Sequence, residues 1–176
     1  MSGPFSSRSG PIALGGVLAA GSLAVLWLAC MVPSGRLGVT AAAGLFPVAG
    51  VLAAGRTAGY LCWAAGGILG LILLPDKGVA LMYLAFLGLY PVVKSRIESL
   101  RRLGLEWVLK LVFFNAVLTL FWFVLRSMFL PQPPDWLGEN SLLLYGAGNL
   151  VFVIYDVGLS RLIALFQARL GPGRRH

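Results

Sequence analysis

The sequence predicts an all-α polytopic membrane protein: a six-transmembrane-helix bundle with both termini cytoplasmic. Three observations predict it. Four runs, Ser9 to Gly35, Leu37 to Gly55, Thr57 to Pro75 and Gly78 to Val93, hold no ionisable side chain except Cys and Tyr. A helix needs about 20 apolar residues to cross about 30 Å of hydrocarbon, and a soluble domain of 176 residues has no means of hiding four such runs. Composition agrees, with 59% hydrophobic and 11% charged residues, mean hydropathy +0.87, and 23 glycines of the kind lipid-embedded helices tolerate. Finally, the runs are continuous, whereas a β-barrel reads as short alternating segments.

The first span runs from about Pro11 to Val32 and is closed by Pro33-Ser34-Gly35. The second covers about Leu37 to Gly55, with Pro47 as an expected kink, and the tight Gly55-Arg56 turn leads into the third. That third span extends from about Thr57 to Leu74, stopped by Pro75. The fourth, Gly78 to Val93, has 16 uncharged residues, about 24 Å of helix, so Lys77 and Lys94 are expected to snorkel at its ends. The fifth covers about Leu105 to Leu130, ended by Pro131, and the sixth about Ser141 to Ala168. In domain terms this is a polar tail (1–10), a single transmembrane domain (11–168) and a basic tail (169–176).

Orientation follows from the basic residues, which favour the cytoplasmic side in short loops. One side would hold nine of them: Arg8, Arg56, Lys94, Arg96, Arg101, Arg102, Arg169, Arg174 and Arg175. The other would hold Arg36, Lys77 and Arg126, diluted by Asp76, Asp135 and Glu139. Both ends are therefore placed inside the cell, in the cytoplasmic membrane. The net charge of +8 is then mostly topology, with attraction for anionic headgroups but no argument for nucleic acid. Cys30 and Cys62 fall at opposite depths and are expected to be packing residues, not a disulfide.

The inventory disfavours catalysis. The single histidine, His176, supplies neither a metal site nor the base of a hydrolase. No phosphate-binding or dinucleotide motif is present, and Gly66-Gly67-Ile68-Leu69-Gly70 lies inside an apolar span. No cofactor is expected.

Polar groups at membrane depth are costly, so each one needs a reason. On the fifth span, Glu106 and Lys110 are spaced for an ion pair, and Asn115, Thr119, Trp122 and Arg126 continue one face toward the outside. On the sixth, Tyr145, Asn149 and Asp156 share a face. Asp156 is expected in a structural ion pair with Arg161 or Lys110, a proton or substrate role being the lesser reading. Arg36, Asp76, Lys77 and Arg126, with Tyr145, Asn149, Asn115, Trp122 and Tyr83, are candidate ligand contacts around an outward-facing pocket. The competing reading is a set of ordinary interfacial anchors. On the first span, Gly16, Ala20 and Ala24 recur every four residues as a smooth strip, for packing within the bundle or for docking a second membrane protein.

These features together resemble the substrate-binding S component of energy-coupling factor (ECF) transporters. The resemblance covers nearly the whole chain: six spans, a first helix rich in small residues, the Pro33-Ser34-Gly35-Arg36-Leu37-Gly38 turn, the Leu45-Phe46-Pro47 step, and Ala53-Ala54-Gly55-Arg56-Thr57-Ala58-Gly59 leading into a Gly-rich third span. It implies capture of a micronutrient near the outer face by spans four to six and the loop 33–37. It also implies docking of Gly16, Ala20 and Ala24 on a transmembrane coupling subunit driven by an ATPase pair. Ligand-specific signatures for thiamin, riboflavin or biotin are not recognisable, and the basic segment Lys94–Arg102 is unusually prominent for the family. Two other readings stand beside it: a ligand-free scaffold or accessory subunit with the same fold, and an ion-coupled carrier using Asp156. The lack of similarity between residues 1–90 and 91–176 weighs against the carrier.

Overall fold

A computed structural model describes residues 9–123 and 141–170. Every regular element among them is helical, and six helices are long and apolar enough to cross a membrane, consistent with a multi-pass membrane protein. The chain divides into two compact units between Arg102 and Leu103.

The first unit holds four of these helices. Its first helix, α1 (Ser9–Met31), carries Pro11 in its opening turn, where the missing N–H costs nothing. Val32 leaves the helical region (φ −115°, ψ 87°), the bias that a following proline imposes, and a single 3₁₀ turn (Pro33–Gly35) follows. The second membrane-length helix is divided at Gly44 into α2 (Arg36–Ala43) and α3 (Leu45–Ala54). Pro47 explains the break: it has no N–H for the Ala43 carbonyl one turn earlier, and its ring crowds that position. Gly55, at φ +88°, then reverses the chain into α4 (Arg56–Leu73). Leu74 is extended ahead of Pro75 and ends that helix.

The fourth membrane-length helix departs from its expected form. It begins with α5 (Lys77–Met82), capped by the Asp76 carboxylate, which accepts from the Gly78 N–H at 2.9 Å. A π-helical turn (Tyr83–Leu87) follows, closed by the Gly88 N–H on the Tyr83 carbonyl at 2.8 Å. Then α6 (Tyr90–Ile97) and a 3₁₀ turn (Glu98–Leu100) complete it. Lys94 is not a snorkelling end residue: it is 1% exposed and pairs with Glu98 at 2.7 Å. Because that carboxylate sits one turn further on, the helix need not stop at the lysine, and it runs to Leu100 before Arg101 turns left-handed at φ 53°. Lys77, at the other end, is exposed and tied to backbone carbonyls.

Packing in this unit rests on small residues. Leu26, Ala29, Ala43, Leu74, Val79, Ala80 and Tyr83 form its buried cluster. The α1 helix lies against α4, α3 and α2, and α3 lies against α4. At the α3–α4 contact a Cβ on Gly50 would lie 3.2 Å from backbone atoms of Ala58 and Gly59, so the two helices meet nearly backbone to backbone. Arg36 reaching Asp76 at one end, and Arg56 reaching the Ser95 carbonyl at the other, show that the four helices alternate in direction.

The second unit comprises α7 (Leu103–Phe123) and α8 (Ser141–Leu170), packed on one another. The expected span to Leu130 is described as far as Phe123. Arg126 and residues 131–136 lie outside the described residues.

Candidate functional site

The polar centre of the first unit arises from carbonyls that the helices leave unpaired. Pro47 frees the Ala43 carbonyl, and the Ser22 hydroxyl of α1 donates to it at 2.9 Å. The Ser22 hydroxyl is also placed to donate to the Tyr83 hydroxyl at 2.8 Å, so its one proton serves the carbonyl and the tyrosine in turn. The π turn exposes the Leu84 carbonyl, which accepts from the Trp63 indole N–H at 2.9 Å. Tyr83, expected as a ligand contact, is wholly buried and committed to this centre, with the buried Cys62 thiol beside it. Sequence reasoning missed Ser22 and Trp63. Pro47, four residues after Ala43, is the signal that predicts a freed carbonyl there; Trp63 has no such signal.

At one end of this unit Arg36 and Asp76 meet at 2.7 Å, with side chains 40% and 29% exposed. Lys77 beside them donates to the carbonyls of Ile72 and Leu74 at 3.2 and 2.8 Å, capping the end of α4. Three of the expected contacts therefore share one end of the bundle. Asp76 serves both as helix cap and as counter-ion, which fixes its carboxylate between Gly78 and the guanidinium.

The expected docking strip lies open. Gly16, Ala20 and Ala24 are exposed, while Gly15, Ala19, Ser22, Leu26 and Ala29 form the buried side of α1. A Cβ built on Gly16 would meet nothing within 4 Å, whereas one on Gly15 would touch Leu61 at 3.0 Å. The larger exposed side chains Ile12, Val17 and Leu28 border the strip, so its middle is shallow.

The second unit brings its two polar stripes together as a ladder. Lys110 Nζ lies 3.2 Å from Asp156 Oδ2, with the two side chains 6% and 4% exposed. Lys110 also stands 5.5 Å from the Trp107 ring. Phe114 and Phe152 stack next at 4.6 Å. Then Asn115 and Asn149 exchange amide hydrogen bonds at 3.0 and 3.1 Å, each also donating to a carbonyl of its own helix. Thr119 and the Tyr145 hydroxyl close the ladder at 2.7 Å; Thr119 donates to the Asn115 carbonyl, so the tyrosine is the donor between them.

Lys110 thus answers Asp156, as one of the two partners expected for that acid, and not Glu106, the partner its spacing along α7 suggested. The reason is burial: Asp156 is 3% exposed, while Glu106 keeps access to the surface and has less need of a counter-ion. Arg161, the other candidate partner of Asp156, is exposed. Trp122 is half-buried near the last described turns of α7.

Chemically, Arg36, Asp76, Lys77, Tyr83, Asn115, Tyr145 and Asn149, all named as ligand contacts, bond to protein groups of their own unit. No group of three His, Cys, Asp or Glu side chains able to hold a metal ion occurs among the described residues. Both cysteines are free thiols. Comparison of the chain with family models, with curated proteins and with solved structures returns no match.

Proposed function

We propose that this chain is a non-catalytic subunit of the cytoplasmic membrane, with both termini inside the cell, that docks on a second membrane protein and captures a small micronutrient-class ligand. This is the role of the ECF S components it resembles. The observation that carries the proposal is the exposed strip Gly16, Ala20 and Ala24 on a helix whose opposite side is already fully used. Lipid gains little from such a shallow strip, whereas a partner helix gains close backbone approach. The coupling subunit with its ATPase pair is the partner this reading requires. Capture is assigned to the end marked by Arg36, Asp76 and Lys77, where the ion pair is accessible enough for an anionic or carboxylate-bearing ligand to exchange with Asp76.

A second reading, a ligand-free scaffold with the same docking face, draws support from the pairing of the candidate ligand residues among themselves. Native mass spectrometry of the gently solubilised chain, co-expressed with an ECF coupling module, separates the two. Module binding with a retained small-molecule mass is the expected result. Module binding alone, abolished by Ala20→Leu, moves the assignment to the scaffold. No association in either form sinks both.

A further inference from the structure

The two ends of the first unit differ in how their charges are handled. At one end, Arg36 is matched by Asp76 at 2.7 Å and Lys77 is engaged by backbone carbonyls. At the other, Arg56 opens α4, Lys94 and Arg96 lie in the last turn of α6, and Arg101 and Arg102 follow directly. Glu98 is the single acid of that segment, and it is taken by Lys94 at 2.7 Å. Arg56, Arg96, Arg101 and Arg102 are all exposed, and none has a carboxylate partner among the described residues.

Two further details bear on what these arginines meet. Arg56 donates to the Ser95 carbonyl at 3.3 Å, so the α3–α4 turn and the end of α6 are tied into one surface. Among the arginines stands Leu100, 48% exposed, at the point where the membrane-length helix stops. An apolar side chain interleaved with guanidinium groups at a helix end matches a lipid boundary, with acyl carbon below and phosphate above. A soluble polyanion or free phosphate would leave that leucine in water.

We infer that this end of the first unit is a docking surface for the phosphate headgroups of anionic phospholipid. Guanidinium suits the task because its planar fork meets phosphate oxygens in pairs. Glu98 is kept from opposing the lipid because Lys94, buried and fixed in place, already neutralises it.

The test uses the full chain in nanodiscs of mixed phosphatidylcholine and phosphatidylglycerol, with co-ejected lipids counted by native mass spectrometry. Expected is enrichment of phosphatidylglycerol that falls at least roughly tenfold when Arg56, Arg96, Arg101 and Arg102 are all changed to Gln. The matching set of four Arg→Lys changes keeps most of it, which separates lost charge from lost fold. For the unmodified chain, raising salt from about 0.1 M to about 1 M, where the screening length drops from about 10 Å to about 3 Å, weakens the enrichment. Equal retention of the two lipids, enrichment that survives the Gln set, or enrichment indifferent to salt would each overturn the assignment.

Discussion

The two units hold their helices together by different means. In the first, glycine and alanine let backbones approach, and the few polar groups cap carbonyls that proline or the π turn has freed. In the second, two long helices meet along one seam, and the seam is a polar ladder from Lys110–Asp156 to Thr119–Tyr145. Along α7, Lys110 is the one buried residue. The difference teaches what an apolar solvent demands. Apolar side chains gain nothing by leaving lipid for each other, so helices associate either through close van der Waals contact or through polar bonds. The first unit relies on the former, the second on the latter.

The comparison can be broken most severely at the ladder. Lys110→Met leaves the Asp156 carboxylate buried without its cation and is expected to cost about 3–5 kcal/mol, read as lost thermal or denaturant stability in detergent. Adding Asp156→Leu removes the orphaned charge and should recover most of that loss. If the double variant is as weak as the single one, the pair has a role beyond mutual neutralisation. In the first unit the equivalent lesion is steric. A Cβ on Gly44 would collide with the Leu87 carbonyl oxygen, which is backbone and has little freedom to yield. Gly44→Ala should therefore destabilise by about 1–3 kcal/mol in the same assay.

Smaller effects sharpen the contrast. Trp63→Phe keeps most of the ring but strands the Leu84 carbonyl, for an expected loss of about 1–2 kcal/mol. A stability equal to the unmodified chain would mean that the π turn relaxes once its cap is gone. Smallest is the coupling between Asn115 and Asn149. A double-mutant cycle with Leu at each position is expected to give about 0.6 kcal/mol, the scale found for interhelical hydrogen bonds inside membranes. A value near zero would assign the seam to Lys110–Asp156 and to the Phe114–Phe152 stack alone.

Much of this was legible in the sequence, for identifiable reasons. Uncharged runs and prolines mark the ends of membrane-length helices, because a charge or a missing N–H is costly in hydrocarbon. The stripes Lys110, Asn115, Thr119 and Tyr145, Asn149, Asp156 were readable from helical spacing as one face each. Lys110 was among the partners expected for Asp156, because a buried acid needs a cation; the pairing of Asn115 with Asn149 and of Thr119 with Tyr145 was not readable, because spacing within a helix says nothing about register between helices. Glu106 was offered to Lys110 as well, because a partner four residues away is the one visible along the chain. The length of the fourth helix was obscured by Lys94, whose burial depends on Glu98 meeting it in space. Tyr83 was read as a ligand contact because its partner Ser22, 61 residues away on another helix, is not visible along the chain.

The π turn has one more consequence. One surplus residue in a helix rotates everything after it by about 100° relative to an uninterrupted helix. Both halves of the fourth helix meet α4 and the divided second span, α5 against α2 and α6 against α3, and α5 also meets α1. The turn resets the phase between two halves that each fit a different stretch of these neighbours. The turn works as a phase shifter, letting one pass through the membrane supply two differently aimed surfaces, and Trp63 is the pin that holds the setting. Removing a single residue between Tyr83 and Leu87 would leave the composition almost untouched, yet swing Lys94 away from its buried position.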